Sequence, residues 1–371
     1  MKKFTRTLVC AGLVTVLGVS GLTGCGNTLD GTKTAATCGD QTITLGTANM
    51  MLRMTQAQMV QYYSMFGGSA MGIWDQKGED GKTYGETTKE ETMNQIQEVA
   101  LLKQHAADYK VEITEEQHKK IEEAAAAFME SNTPETIEKL AVSQSDIEAV
   151  LEYFTYRELM YEPMTADIDT NVDKDEIAQS KVTVCQVSTA DVTDPEGNPV
   201  EMSAEEKGMK KVMAQSVLDK MKAQEDPAAA DMDAIAKEVE ETLTASARTF
   251  GSTDEELDTK VKEAVKDLKD GELVQDVVEG EDGYYVVRLD AVFDQAATDA
   301  EEALVINERK EEAYTALIED WTKEDKLVVE DAVWKKVKLT DEDAYILKQP
   351  EMPVPEAAPV EEVPAEEAPE E

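Results

Sequence analysis

Apolar residues recur at helical spacing through the first half of the chain. Several of these recurrences are preceded by a Ser or Thr with Glu or Gln three residues later. That pairing is a capping box, which satisfies the orphan amide donors at a helix start. A Met-rich helix is predicted from Gly46 to Met65, followed by a Gly-rich loop from Gly67 to Gly85. Thr88/Glu91 then opens a helix to about Tyr109, and Thr114/Gln117 one to about Ser131. Thr133-Pro134 supplies a cap and a first-turn proline, and Ser145/Glu148 opens a helix to about Tyr161. The period changes at Lys181, where Val182 to Val187 forms a short β-branched run ending in a turn-rich loop, Asp191 to Pro199. Ser203/Glu206 opens a helix, a second covers Met232 to Glu241, and Thr253/Glu256 opens a third to Leu268. Extended residues Leu273 to Val278, a Glu-Gly-Glu-Asp-Gly turn and a strand from Tyr284 to Phe293 complete a β-α-α-α-β-β module. Thr298/Glu301 starts a long helix to about Lys323, and Lys326 to Leu339 returns in short elements. The fold class is therefore α+β: a helical domain over 40–170, a module over 181–293, and a segment over 295–340 too small for its own core.

Both ends read differently. Lys2, Lys3 and Arg6 precede an apolar run from Leu8 to Leu22, shorter than the roughly 20 residues of a membrane span and laid out as a signal peptide over 1–24. Leu22-Thr23-Gly24-Cys25 resembles a bacterial lipobox, in which the Cys is lipidated and becomes the mature N-terminus. The resemblance implies lipidation at Cys25, and two acyl chains suffice for stable anchoring. An ordinary secretory signal with an incidental Cys is the other reading. Residues 25–39 read as a polar linker after the anchor. Pro350 to Glu371 holds six prolines and eight glutamates, an acidic tail over 350–371 with no apolar set to bury.

The net charge of −43 becomes −46 once the three basic residues of the leader are removed. So acidic a chain has no means of neutralising phosphates, which excludes nucleic acid as a partner. Anionic headgroups repel it as well, leaving the lipid anchor as its only hold on a membrane. Cys38 and Cys185 are the two remaining thiols, and the sequence leaves open whether they pair. Neither His105 nor His118 has a nearby Cys or His at metal spacing, and no His follows residue 118 to serve a Ser-His-Asp arrangement. Asp75 to Glu86 has the length of a calcium loop, but Lys77 and Asp80 stand where an oxygen ligand and a Gly are required. Gly67, Gly68 and Gly72 are too sparse for a phosphate cradle. No cofactor and no metal are expected. Met50, Met51, Met54, Met59 and Met65 suit either a core or an adaptable apolar surface.

Three stretches carry a family resemblance. Val184-Cys185-Gln186-Val187 lies where parvulins have their first strand, and Ala264 to Leu273 resembles the family's helix end and next strand start. Gly283-Tyr284-Tyr285-Val286-Val287-Arg288-Leu289 resembles its last strand. Together with the helical domain before and the return segment after, these resemble the PrsA/SurA-type foldase lipoproteins with a PpiC-type peptidyl-prolyl isomerase domain. The resemblance implies a SurA-N-like chaperone domain completed by the C-terminal helix, with the parvulin-like module inserted. The departure falls on the chemistry. Gln186 and Tyr285 occupy the positions of the family's two His, and the Gly-Gly-Asp-Leu-Gly loop is reduced to Ala247-Arg248-Thr249-Phe250-Gly251, where Phe250 matches a wall of the proline pocket.

The resemblance thus implies an extracytoplasmic foldase and chaperone acting on unfolded or partly folded secreted proteins, held at the cell membrane by Cys25. Candidate catalytic residues are Gln186, Tyr285 and Phe250. X–Pro isomerisation needs no nucleophile, and Gln186 and Tyr285 keep hydrogen-bond donors, so both an active and a chaperone-only module stay open. A solute-binding lipoprotein would need two lobes of repeated strand-helix units, where the first 125 residues of the mature chain read as nearly all helix. A structural surface lipoprotein using the acidic tail is the remaining alternative.

Overall fold

The protein is described by a computed structural model covering residues 16–19, 29–66, 72–190, 192–193, 199–339 and 345–348. The chain divides into two units, one formed by Met1–Ala166 with Ala313–Glu371 and the other by Asp167–Glu312. The leader and Cys25 lie outside the described residues except for the strand Val16–Val19, which pairs antiparallel with Tyr345–Lys348. The tail 350–371 lies outside them entirely.

The first unit begins inside the segment read as a linker. Strand β1, Thr34–Cys38, turns through Gly39 (φ 54°) into β2, Gln41–Thr44, and pairs on its other edge with Val328–Val329. Ala35, Ala36 and Cys38 are buried there. Small residues in a Thr-Ala-Ala-Thr stretch carry no alternating pattern, so the strand is set by its pairing, with the hairpin partner Gln41–Thr44 on one edge and with Val328–Val329, nearly 300 residues away, on the other.

Five helices follow: α1 Leu45–Met65, α2 Tyr84–His105, α3 Glu115–Ser131, α4 Pro134–Leu140 and α5 Gln144–Met164. The Thr114/Gln117 box and the Thr133-Pro134 cap form as read. Two other starts move upstream. Helix α2 is capped by Thr83, whose Oγ1 accepts from Glu86 N at 3.1 Å while Glu86 Oε2 accepts from Thr83 N at 2.9 Å. Thr88 is a buried helix residue donating to Tyr84 O at 2.8 Å. The earlier start is possible because Gly85 lets the backbone of Trp74 approach, a Cβ there standing 3.1 Å from Trp74 O. Helix α5 likewise uses Ser143/Asp146 rather than Ser145/Glu148. In both places the sequence offers two overlapping boxes, and packing selects one.

The helices enclose a core that includes Leu52, Ile96, Phe128, Leu140 and Val150, to which Trp334, Val337 and Leu339 contribute from the return segment. Polar bonds fix that return. Lys89 Nζ donates to Trp334 O at 3.1 Å and Val337 O at 2.6 Å, and Arg53 Nη2 donates to Lys338 O at 2.8 Å. Burial, with the nearby Arg53 charge, holds Lys89 below its usual range. Residues 295–312, expected to go with this segment, group instead with the second unit.

The second unit holds a four-stranded antiparallel sheet in the order Ala245–Phe250, Ser180–Ser188, Gly283–Ala291, Val278–Glu279. Strand β3 is Ser180–Ser188, followed by α6 Ala204–Lys222, α7 Met232–Val239, β4 Ala245–Phe250, α8 Thr259–Val265, β5 Val278–Glu279, β6 Gly283–Ala291 and the start of α9 Gln295–Glu324, whose residues from Ala313 on belong to the first unit. A short pair, Val192–Thr193 with Pro199–Val200, sits in the loop after β3. Strand β4 corrects the expectation of a loop at 247–251. Ala-Ser-Ala-Arg-Thr-Phe has little β-branched content, and it becomes extended because β3 offers it an unpaired edge. The Ser203/Glu206 box forms. Helix α8 starts at Asp258, whose Oδ1 accepts from Lys260 N at 2.7 Å, not at Thr253. Helix α9 starts at Gln295, not Thr298, whose hydroxyl donates to Asp294 O at 2.8 Å.

Candidate functional site

Cross-strand register sets the site. In the antiparallel β3–β6 pair Gln186 stands directly opposite Tyr285, Val184 opposite Val287 and Cys185 opposite Val286. Directly opposed residues share a face and neighbours alternate. One face therefore carries Val184, Gln186, Tyr285 and Val287. The other carries Cys185, Val187, Tyr284 and Val286. Helices cover both, α6 and α7 on the Cys185 face and α8 on the Tyr285 face.

Gln186 is exposed, whereas Tyr285 is only 6% exposed. Gln186 Nε2 donates to Tyr285 Oη at 3.1 Å, and the Tyr285 hydroxyl donates in turn to Asp282 Oδ1. The Tyr285 ring lies against Gly280, where a Cβ would stand 2.5 Å from Tyr285 Cε2 and 2.3 Å from Asp258 Oδ2. No other residue type fits at 280 without displacing the ring. Burial comes first in pushing the Tyr285 phenol well above its usual range. The bond to Asp282 and the charges of Asp282 and Asp258 push the same way, and Arg248 opposes them. Arg248, on β4, reaches this face because it pairs with Val182 of β3, and its Nη2 lies 3.6 Å from Asp254 and 3.5 Å from Glu256. Cys185, on the opposite face, is buried, and desolvation pushes its thiol up to about 11. It takes no part in this arrangement.

Phe250 pairs with Ser180 at the far end of β4. Six residues of strand separate Ser180 from Gln186, about 20 Å at the usual rise, so Phe250 does not line the Gln186–Tyr285 pair. The residues that do surround it, Asp282, Asp258, Gly280 and Arg248, were not singled out from the sequence. One signal was available: Asp282 closes the Glu-Gly-Glu-Asp-Gly turn three residues before Tyr285.

The two histidines belong to the first unit. His105 stacks on Trp321 with ring centroids 4.1 Å apart and its Nδ1 3.0 Å from Asp108 Oδ2, while His118 Nδ1 lies 3.8 Å from Glu152. Among the described residues no cluster of three or more His, Cys, Asp or Glu could hold a metal ion, and no helix is long and apolar enough to cross a membrane. At the end of α1, Tyr62 (58% exposed), Met65 (77%) and Phe66 (74%) form an apolar group in solvent, with Tyr62 and Phe66 ring centroids 5.0 Å apart.

The second unit is thus an antiparallel α+β module with helices on both faces of its sheet and a polar cross-strand pair on one of them. Residues 189–305 match the family described as the PPIC-type PPIASE domain, a span that includes Asp282 and Tyr285 and begins three residues after Gln186. Among solved structures, the foldase protein (PrsA) from Lactococcus lactis is 14% identical, covers 81% of this chain and 96% of its own, and has a TM-score of 0.34. Peptidylprolyl isomerase (PrsA) from Bacillus cereus is 17% identical over 72% of this chain and 94% of its own, with a TM-score of 0.29. Foldase protein PrsA from Streptococcus pneumoniae is 13% identical over 70% and 97%, also at 0.29. No curated protein matches the chain.

Proposed function

We propose that the chain is an extracytoplasmic foldase, anchored to the cell membrane through a lipid on Cys25, that binds unfolded secreted proteins and turns their X–Pro bonds. The observation that carries the isomerase reading is the hydrogen bond between Gln186, just before the span that matches the PPIC-type PPIASE domain, and Tyr285 inside it. Rotation about an X–Pro bond breaks no covalent bond, but it must cross a barrier of roughly 18–20 kcal/mol set by amide resonance. In the twisted state that resonance is lost, so the amide nitrogen gains a lone pair able to accept a hydrogen bond. A donor aimed at it, in a site that removes water from the amide, lowers the barrier, each 1.4 kcal/mol or so giving about tenfold in rate. Gln186 and Tyr285 set a polar pair on a half-apolar face, the exposed Gln186 amide supplying such a donor, and neither requires a metal or a proton from solvent.

The chaperone part of the reading rests on the helical domain over 40–170 together with the return segment, where the exposed Tyr62, Met65 and Phe66 offer an adaptable apolar surface. The lipobox supports the anchor, and the acidity of the chain gives it no other affinity for anionic membranes. The test pairs two assays on the full chain: isomerisation of a proline-containing tetrapeptide and suppression of aggregation of an unfolded protein. Turnover above the uncatalysed rate that falls on Gln186→Ala, together with suppression of aggregation, is expected. No acceleration by the wild-type chain at any concentration would overturn the isomerase reading, and no suppression would overturn the chaperone reading.

A further inference from the structure

We infer that the two members of the pair have unequal roles: Gln186 is the group that donates to the twisted X–Pro amide, and Tyr285 with Asp282 forms a rail that aims it. This division rests on the isomerase reading above.

It follows from a count of hydrogens. A phenol has one proton to give, and here it goes to the Asp282 carboxylate, which can only accept. Tyr285 therefore has no donor left for a substrate, and its buried ring gives a bound peptide little to touch. Its remaining lone pairs accept, and one takes the Gln186 amide. The orientation of that amide is fixed by the same count. Turned over, Gln186 would set its carbonyl oxygen against a hydroxyl whose proton is already committed, two acceptors face to face. Only the orientation with Nε2 toward Tyr285 makes a bond. Gln186 thus spends one N–H on Tyr285 and keeps a second N–H and its Oε1. The residue is exposed, and neither of those groups bonds a described residue.

The rail itself is stiff. Gly283 lies at the start of β6, and the Asp282 carbonyl accepts from Thr189 N at 2.8 Å, which pins the turn to the end of β3 just beyond Gln186. Gly280 presses on the tyrosine ring from one side, while Asp258 accepts from Glu281 N at 2.8 Å and holds that turn to the start of α8. A long, rotatable Gln side chain is a poor catalyst unless something stops it turning, and the Asp282–Tyr285 chain supplies that restraint.

The experiment measures kcat and KM for a proline-containing tetrapeptide with the full chain and four variants. A second readout follows the Gln186 side-chain amide by nitrogen-15 NMR as the peptide is added. Gln186→Ala and the isosteric Gln186→Glu, which lacks an amide donor, should both lower kcat on the order of tenfold or more with KM little changed. Tyr285→Phe and Asp282→Asn should each lower kcat by roughly threefold, because Gln186 is still present but less well aimed. The Gln186 amide resonance should move on peptide binding in the wild type, and in Tyr285→Phe it should already be displaced in the free protein. If Tyr285→Phe removes as much activity as Gln186→Ala, or Gln186→Glu retains wild-type kcat, the division of roles is wrong while the isomerase reading stands. If the wild-type chain neither turns the peptide over nor shifts the Gln186 amide, both fail together.

Discussion

Replacing Asp146 by Ala should lower the stability of the helical unit by about 3 kcal/mol. The residue is 7% exposed, and its carboxylate joins the starts of two helices. On one side Oδ2 accepts from Ser143 N at 2.8 Å and Ser143 Oγ at 2.6 Å, closing the capping box of α5. On the other, Oδ1 accepts from Thr47 Oγ1 at 3.1 Å and from the hydroxyl of Thr44, which is the N-cap of α1. Loss of a capping side chain costs about 1 kcal/mol, and a hydrogen bond to a charged group contributes roughly 1.5–3 kcal/mol net. The sum overstates the effect, because removing a buried carboxylate relieves its desolvation and the two threonine hydroxyls can re-aim. The Ser143 N–H cannot, and the remainder is close to 3 kcal/mol. Asp146→Asn keeps one acceptor oxygen for that N–H and can donate to the threonines, so it should cost about 1 kcal/mol. All three tryptophans, Trp74, Trp321 and Trp334, belong to the first unit. Urea unfolding followed by tryptophan fluorescence therefore reads this unit alone, without assuming that the whole chain unfolds in one step. A shift below about 1 kcal/mol for Asp146→Ala would refute the idea that this carboxylate holds the two helix starts together.

Further outcomes follow from the same structure. Cys38 and Cys185 are buried, and desolvation first, then Asp325 and Asp233 respectively, push each thiol from 9.0 to about 11. Their raised folded values make the stabilising contribution complete below about 9 and lost as pH rises toward about 11, because the unfolded chain releases these protons first. Iodoacetamide at pH 8 should leave both unlabelled in the native chain and label both in urea, and prompt native labelling would contradict the burial. Tyr62→Ser with Phe66→Ser should weaken suppression of aggregation several-fold while moving the tryptophan unfolding curve by less than about 0.5 kcal/mol, the usual limit for exposed sites; unchanged suppression would remove this surface from the chaperone account. Cys25→Ala should abolish labelling by a palmitate analogue and release the chain from the membrane fraction, and a variant that still labels and pellets would sink the anchor.

Local chemistry written into neighbouring residues could be read directly. The helical character of the first half, the boxes at Thr114/Gln117 and Ser203/Glu206, and the strand through Gln186 all depend on contacts within a few residues. The β3–β6 pairing could be anticipated in part, since Tyr285 shares the parity of Val287 and Leu289. Where the sequence offers two equivalent starts, as at Thr83 and Thr88 or Ser143 and Ser145, only packing chooses, through Gly85 against Trp74 and Asp146 against Thr44. Strands with no pattern of their own are set by the edges they pair with: Thr34–Cys38 by the hairpin partner Gln41–Thr44 and distant Val328–Val329, Ala245–Phe250 by Ser180–Cys185. That second strand also decided the site. Extending 245–250 carries Phe250 about 20 Å along the sheet from Gln186 and brings Arg248 onto its face, while the turn before β6 delivers Asp282 to the Tyr285 hydroxyl. Residue types in order determine which elements can form; which side chains meet is decided by register and by the long-range closing of backbone hydrogen bonds, which no local pattern encodes.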